Sequence, residues 1–371
     1  MRIGIPKEVV PGETRVALVP DSIPKLGKAG IEVSVESGAG VASGFTDAQY
    51  EEKGAQLVDR AAALGCDMVL AVHAPETDTL KQGGTLVCMA DPFGQPQRVA
   101  ELAQRGVTCF SLELMPRISR AQSMDVLSSM ANVAGYKAVL LGAARSPKLF
   151  PLMMTAAGTV RPAKVFVLGA GVAGLQAIAT ARRLGAVVEA YDIRPATKIE
   201  VESLGARFIE FDLGAEDAQD EGGYALELTE EQKAKQAELM AQQIQGADVV
   251  ITTAQVPGRK APRLIPAGVV EGMKPGSVIV DMAAESGGNC ECTVAGEEVD
   301  VGGVIVIGPR NLPASVCVST STLYANNLVS FLKELTKEGE MDIDLENETL
   351  REPLVCRGGE VTNERVREIL S

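Results

Sequence analysis

The sequence GAGVAG at residues 169–174 constrains the fold of this chain more than any other segment. It follows an apolar run, 165–168, and opens an alanine-rich stretch that reaches Leu184. The next apolar run, 187–191, is followed by Asp192, which stands 18 residues after Gly174. A strand, a GxGxxG turn, a helix and a second strand ending at an acidic residue form the dinucleotide-binding βαβ unit. The spacing therefore predicts that this chain binds a dinucleotide.

The three glycines have separate roles in such a unit. Gly169 permits the tight turn, Gly171 lets the backbone approach the pyrophosphate, and Gly174 lets the helix and the strand pack closely. The helix N-terminus then stabilises the phosphates without a lysine. The alternative is a turn between strand and helix that holds no ligand.

Asp192 indicates which dinucleotide is bound. Its carboxylate can accept both hydroxyls of the adenosine ribose, and its charge would repel a 2'-phosphate, so NAD is favoured over NADP. Arg194 lies near enough in sequence to accommodate that phosphate and tempers the preference. The alternative role for Asp192 is to cap a turn at the end of its strand.

Apolar runs alternate with helix-like segments in two series. The predicted strands are 2–5, 31–35, 67–72, 85–89 and 107–112, and then 165–168, 187–191, 207–211, 248–252, 277–281 and 304–307. Such alternation is typical of parallel sheets covered by helices. The sequence predicts an α/β protein of two doubly wound, Rossmann-like domains, joined by two crossing helices, 128–145 and 319–337, with a cleft between them. The predicted domains are 1–127 plus 318–371, and 128–317.

Charge and cysteine content exclude several functional classes. Lys and Arg number 35 against 49 Asp and Glu, so the net charge of -14 has the wrong sign for binding nucleic acid or anionic lipid. The longest uncharged stretch, 165–181, is short and broken by glycines, and we expect no direct membrane insertion. The seven cysteines are scattered except for Cys290 and Cys292, which predicts a reduced cytoplasmic setting and no metal site.

Two loops carry further polar side chains. Segment 115–129 holds Arg117, Arg120, Gln122 and Asp125, groups that could hold a nicotinamide amide and a ribose; the alternative is a solvated loop with internal ion pairs. Segment 214–228 contains Gly223 and Tyr224 and precedes a capping box at 229–232, which suits either a mobile lid or a disordered loop. The single histidine, His73, has no triad motif near it, which favours a structural role.

Several motifs together resemble one known family. These are IGIPKE at 3–8, ETRVALVP at 13–20, PRISRAQSMDVLSS at 116–129, VLGAGVAGLQAIATARRLGA at 167–186 followed by YDIRPAT, and VIVDMAAESGGN at 278–289. They resemble the alpha subunit of proton-translocating NAD(P) transhydrogenase, over nearly the whole chain. Longer alpha subunits continue into membrane helices, whereas this sequence stops at Ser371, so we expect the split form or a truncated chain.

The resemblance implies a set of residues that bind the cofactor NAD(H). Arg117, Gln122 and Asp125 would orient the nicotinamide as the catalytic positions, and Gln122 would also touch NADP(H) presented by a partner subunit. Gln255 falls at a nicotinamide-side contact, where other members carry an aliphatic residue. The implied cofactor-binding residues are Arg117, Ile118, Ser119, Arg120, Gln122, Asp125, Ser128, Gly169, Gly171, Val172, Ala173, Gly174, Asp192, Arg194, Gly223, Tyr224 and Gln255.

The same resemblance implies the assembly and the activity. It predicts a homodimer that works with an NADP(H)-binding beta subunit and membrane-spanning subunits, at the cytoplasmic face of the inner membrane. The expected activity is direct, Re/Si-specific hydride transfer from NADH to NADP⁺, coupled to proton translocation.

Two other hypotheses remain. Alanine dehydrogenase shares the fold and the ETRVALVP opening, so Arg15 does not discriminate. Where that enzyme carries a substrate-binding lysine, a catalytic histidine and an aspartate, this chain has His73, Cys88 and Glu285. Imine chemistry needs a positioned proton donor and acceptor, whereas hydride exchange needs only alignment. The third hypothesis is a non-catalytic NAD-binding protein.

Overall fold

A computed structural model describes residues 1–211, 229–255 and 258–371. The chain divides into two compact units. Unit 1 comprises Met1–Ala131 and Pro313–Ser371, and unit 2 comprises Asn132–Leu312. The sequence analysis placed the two crossings near residues 127 and 318. The expected lid at 214–228, with Gly223 and Tyr224, lies outside the described residues.

The strands are numbered in chain order. They are β1 (Arg2–Ile5), β2 (Glu32–Glu36), β3 (Gln56–Val58), β4 (Met68–His73), β5 (Thr85–Met89), β6 (Thr108–Ser111), β7 (Met153–Thr155), β8 (Gly158–Val160), β9 (Lys164–Leu168), β10 (Val187–Tyr191), β11 (Arg207–Phe208), β12 (Val249–Thr252), β13 (Val278–Asp281), β14 (Glu298–Val301), β15 (Val304–Ile307), β16 (Thr336–Lys337), β17 (Glu340–Met341), β18 (Leu354–Arg357) and β19 (Glu360–Val361).

The α-helices are numbered in the same way. They are α1 (Ile23–Gly27), α2 (Asp47–Glu52), α3 (Arg60–Leu64), α4 (Pro96–Gln104), α5 (Val126–Arg145), α6 (Val172–Arg183), α7 (Thr197–Ser203), α8 (Glu230–Gln245), α9 (Ala267–Glu271), α10 (Cys317–Leu335), α11 (Glu348–Arg351) and α12 (Glu364–Leu370). The two predicted crossing helices correspond to α5, which contains the change from unit 1 to unit 2, and α10, which begins shortly after the return.

Unit 1 is built on a sheet of strand order β19-β18-β6-β5-β4-β1-β2-β3. Its pairs from β6 to β3 are parallel, while β18 and β19 add an antiparallel edge that the alternating pattern did not reveal. Ile3 and Ile5 are fully buried, and the hydroxyl groups of Tyr50 and Tyr324 donate to the carbonyl oxygens of Leu18 and Ala71. These bonds satisfy the polar tips of the two largest buried side chains.

Unit 2 is built on a sheet of strand order β11-β10-β9-β12-β13-β15-β14. All neighbouring pairs are parallel except β14 with β15. Every residue of β12 and β13 is buried, which explains why these strands are nearly continuous runs of Val and Ile. The strand order reverses between β9 and β12, so the unit is doubly wound as predicted, with its ligand crevice expected at that point.

One helix of the described residues, α5, meets the length and apolar composition of a membrane span. Core helices of globular proteins pass the same two criteria. Its share of small residues has a local explanation in unit 2, where a Cβ on Gly135 would lie 2.1 Å from the carbonyl oxygen of Ala173. The composition of α5 therefore reflects close packing against α6.

Gly4 offers a direct test of packing in unit 1. A Cβ on Gly4 in β1 would lie 1.8 Å from the carbonyl oxygen of Ala63 at the end of α3, so the helix and the strand would have to separate. We expect Gly4→Ala to lower the free energy of unfolding by about 2 kcal/mol or more, measured by urea denaturation. Gly27→Ala is the matched control, because a Cβ on Gly27 meets no atom within 4 Å, and should change stability by about 0.5 kcal/mol or less. Equal effects of the two substitutions would contradict this packing argument.

Candidate functional site

The glycine-rich turn after β9 is held by contacts that leave no room for side chains. Gly169 has φ +97°, in the left-handed region that favours glycine. A Cβ on Gly169 would lie 2.5 Å from the Thr253 hydroxyl oxygen, and one on Gly174 would lie 1.9 Å from the carbonyl oxygen of Gly169. Both glycines are therefore required by the packing of α6 on the sheet.

Gly171 faces open space. It is the N-cap of α6 without a side-chain cap, and a Cβ on it would meet no atom within 4 Å. Val172 and Ala173 follow in the first turn of the helix. An uncapped helix N-terminus with free space in front of it suits an anion, because its N–H groups and the helix dipole favour negative charge. This cradle fits the pyrophosphate of a dinucleotide.

Asp192 lies just after β10, beside this turn. Its Oδ2 accepts the Ala170 backbone N–H at 2.7 Å, and its two oxygens accept the Nε and Nη2 groups of Arg194, each at 2.9 Å. Burial works against ionisation of Asp192, but the hydrogen bonds from Arg194 and Ala170 outweigh it and hold the pKa below its ordinary value. Asp192 is therefore negatively charged at neutral pH.

The predicted segment 117–125 lies in unit 1. Ser119–Met124 forms a 3-10 helix, anchored by the buried side chains of Ala121 and Met124. Asn327 of α10 donates to the carbonyl oxygen of Ser123 at 2.9 Å, an anchor that the sequence analysis did not identify. The exposed side chains of this segment are Arg117, Ile118, Ser119, Arg120 and Gln122.

Two polar groups of the segment already have structural partners. Arg120 forms an ion pair with Glu334 of α10. The Asp125 carboxylate caps the start of α5, accepting the backbone N–H of Ser128 at 2.9 Å and its hydroxyl at 2.6 Å. Internal pairing, the alternative considered for this loop, is thus present at Arg120 and Asp125, while Arg117 and Gln122 present exposed donors.

Gln255 follows β12 in unit 2 and is exposed. Its side-chain nitrogen donates to the carbonyl oxygen of Met282 at 3.0 Å, so it rests on the segment after β13. The predicted site residues thus form two groups. Gly169 to Gly174, Asp192, Arg194 and Gln255 lie at the carboxyl ends of β9, β10 and β12 in unit 2, and residues 117–128 lie in unit 1.

A buried charged cluster in unit 1 was not predicted. The Glu13 carboxylate accepts Nε and Nη2 of Arg15 at 2.8 and 2.6 Å, and the Nε2 atom of His73 lies 2.7 Å from it. Burial opposes ionisation of Glu13, but the Arg15 and His73 hydrogen bonds lower its pKa well below the usual range. Burial raises the pKa of Glu8, whose carboxylate accepts the Val72 N–H, to about 7. Only the Glu13 and Arg15 adjacency was visible in the sequence.

Comparison with known proteins gives the family. The sequence matches Alanine dehydrogenase/PNT, N-terminal domain, over residues 4–134, and Alanine dehydrogenase/PNT, C-terminal domain, over residues 138–364. The chain belongs to this family. Among the described residues no group of three or more His, Cys, Asp and Glu side chains could hold a metal ion.

Individual relatives place the chain within the Alanine dehydrogenase/PNT family. The first portion of NAD(P) transhydrogenase subunit alpha of Rhodospirillum rubrum, a separate polypeptide, is 47% identical, over 98% of both chains. A solved structure of transhydrogenase from Sinorhizobium meliloti has a TM-score of 0.86 and 44% identity, covering 98% of this chain and 99% of the other. Alanine dehydrogenase of Bacillus subtilis is 30% identical over 99% of this chain and 94% of its own. The resemblance to transhydrogenase alpha subunits is confirmed, and alanine dehydrogenase is the more distant relative.

The ionised Asp192 predicts a preference between cofactors. We expect the chain to bind NADH more tightly than NADPH in a fluorescence titration, because the carboxylate accepts from the ribose hydroxyls and repels a 2'-phosphate. Asp192→Asn should weaken NADH binding by about tenfold, the loss expected for a hydrogen bond to a charged group, and should narrow the gap. Glu210→Gln, which removes an exposed carboxylate of the same unit, is the control. Equal affinities of the unsubstituted chain for the two cofactors would refute this role of Asp192.

Proposed function

We propose that this chain is the NAD(H)-binding subunit of a proton-translocating, Re/Si-specific NAD(P)⁺ transhydrogenase. The observation that carries the proposal is the cradle of unit 2, where an uncapped helix N-terminus at Gly171 lies beside the ionised Asp192. The sequence contains a single GxGxxG turn. One such turn accounts for one dinucleotide, so the second nicotinamide has to come from another subunit, the NADP(H)-binding beta subunit.

The chemistry asks for positioning rather than proton transfer. Bound NADH supplies a hydride from its nicotinamide ring, and NADP⁺ held by the partner accepts it, so that NADH and NADP⁺ become NAD⁺ and NADPH with no proton taken up or released. This chain's residues therefore need to bind, orient and exclude water. The α6 N-terminus would hold the pyrophosphate, and Asp192 would fix the adenosine ribose.

The segment 117–125 is proposed to orient the nicotinamide. Its backbone is fixed by the buried Ala121 and Met124 and by the hydrogen bond from Asn327, while Arg117 and Gln122 remain exposed. A rigid backbone that presents flexible amide and guanidinium donors suits contact with a nicotinamide amide and with a cofactor carried by another subunit. Asp125 and Ser128 would set the end of the segment by capping α5.

The proposal includes an assembly at the membrane. The relative from Rhodospirillum rubrum is named as a portion of one subunit, which implies partner subunits. We propose that this chain lies at the cytoplasmic face of the inner membrane, beside membrane-spanning subunits that translocate protons. A homodimer is supported by the β7 and β8 hairpin of unit 2, where Leu152 and Met154 are 55% and 74% exposed. Such exposed apolar side chains suit burial against a second copy of the chain.

A substitution at Gln122 tests the hydride-transfer function. We expect the chain alone to bind NADH but to turn over slowly, and to transfer hydride rapidly to an NADP⁺ analogue only with the NADP(H)-binding partner. Gln122→Asn shortens the side chain by one methylene, and should slow transfer by roughly tenfold to a hundredfold while leaving NADH affinity nearly intact. Stopped-flow absorbance measures the transfer, and fluorescence measures the affinity.

Gln104→Asn, an exposed glutamine of α4 in the same unit, provides the matched control and should leave both quantities unchanged. A large loss of NADH affinity at an unchanged transfer rate would make Gln122 an ordinary binding residue. Absence of any transfer with the partner present would favour a non-catalytic NAD-binding protein instead.

The alanine dehydrogenase alternative is disfavoured by the positions that would carry its chemistry. Cys88 is fully buried, and burial raises the pKa of its thiol, so it is a poor proton donor or acceptor for imine chemistry. His73 and Arg15 already face the Glu13 carboxylate, so their charges are compensated within the protein. We expect no sustained NADH oxidation when pyruvate and ammonium are added to the pure chain, followed by absorbance at the nicotinamide band. Sustained oxidation would overturn the transhydrogenase proposal.

A further inference from the structure

A buried polar network lies at the carboxyl ends of β12 and β13 in unit 2. Asp281, the last residue of β13, is fully buried. Its Oδ1 accepts the Thr252 hydroxyl at 2.9 Å, and its Oδ2 accepts the Cys290 backbone N–H at 2.9 Å and the Thr293 hydroxyl at 2.6 Å. A buried carboxylate is stable only with such compensation, so the segment around residue 290 is fixed tightly to the sheet.

Asn289 stands next to this anchor and reaches back to the segment after β12. Its Oδ1 accepts the Ala254 N–H at 3.1 Å, and its Nδ2 donates to the carbonyl oxygens of Ala254 at 2.9 Å and Pro262 at 2.8 Å. The Asn289 side chain is fully buried. One amide thus satisfies both backbone groups of Ala254, as a neighbouring strand would do.

The neighbouring residue, Thr253, ties the same segment to the glycine-rich turn. Its hydroxyl lies 3.2 Å from the carbonyl oxygen of Leu168 and 3.1 Å from that of Gly169, and its backbone N–H donates to the Leu168 oxygen at 2.9 Å. The segment 253–255 therefore has one fixed position relative to the turn proposed to hold the pyrophosphate.

We infer that Asn289, anchored beside Asp281, is a positioning residue that fixes segment 253–255 as a wall for the nicotinamide half of the dinucleotide. In a doubly wound sheet the ligand lies outside the carboxyl ends of the strands where the strand order reverses, here between β9 and β12. With the pyrophosphate at the turn after β9, the other half of the ligand extends across the end of β12. This inference rests on the proposed function, because it requires a bound dinucleotide.

The motif VIVDMAAESGGN thereby acquires a physical role. Asp281 and Asn289 stand at the two ends of its second half, and each holds backbone that belongs to another part of the sheet edge. Neither side chain is expected to touch the ligand. Their effect on the ligand passes through the backbone of Ala254, so it should depend on whether the ligand carries a nicotinamide.

The test compares NADH with ADP-ribose, which retains the adenosine and pyrophosphate but lacks the nicotinamide. Asn289→Asp removes both donors to the Ala254 and Pro262 carbonyl oxygens and keeps the size of the side chain. We expect about tenfold weaker binding of NADH, at most about a twofold change for ADP-ribose, and a reduced change in nicotinamide fluorescence on binding. Calorimetry and fluorescence titration of the full chain measure these quantities.

Ser277→Ala is the matched control. Ser277 is a buried residue at the opposite end of β13 that donates to the Ala247 carbonyl oxygen, so its loss should affect stability without changing the ratio of the two affinities. A second pair protects against misfolding of the Asn289 variant: Thr253→Val should reproduce the selective loss of NADH affinity, and Thr253→Ser, which keeps the hydroxyl, should restore it.

The outcomes separate the inference from the proposed function. Equal losses for NADH and ADP-ribose, or unchanged binding of both, would overturn the positioning role while leaving NAD(H) binding in place. If the unsubstituted chain bound neither ligand, the proposed function would fail and this inference with it.

Discussion

The close approach of α6 to the turn after β9 is the constraint on which unit 2 depends. The Cα atom of Gly174 is packed so closely against the Gly169 carbonyl that a Cβ would lie 1.9 Å from that oxygen. This contact aims the N-terminus of α6 along the crevice and leaves open space in front of Gly171. The anion-binding property of the unit is thus a consequence of how a helix and a strand pack, and it needs no lysine.

The same principle explains how an acidic chain can hold an anionic ligand. The net charge of -14 repels anions at long range, whereas the donors at the α6 N-terminus act over the first turn of the helix. The buried carboxylates are compensated one by one: Asp192 by Arg194, Glu13 by Arg15, and Asp281 by hydroxyl and backbone donors. Local compensation therefore matters more than net charge for what this protein binds.

Features predicted from the sequence are those encoded over short distances along the chain. The turn from Gly169 to Gly174 and the strand ending before Asp192 were visible because spacing and strand periodicity are local properties. The antiparallel edges formed by β14 and β18 were not visible, since a short strand carries no mark of its direction in the sheet. The lone His73 gave no hint of its contact with Glu13, which lies 60 positions away in sequence.

The sequence by itself determined the fold class, the dinucleotide turn and the family, because glycine spacing and apolar periodicity follow from backbone geometry. Tertiary structure alone decided which polar groups meet. The amide of Asn289 pairs with Ala254, and Asn327 holds Ser123, across gaps of 35 and 204 residues. Such pairs arise because folding brings the carboxyl ends of separate strands, and helices distant along the chain, to one edge of a sheet. There each buried donor has to find an acceptor, and no local pattern specifies which one.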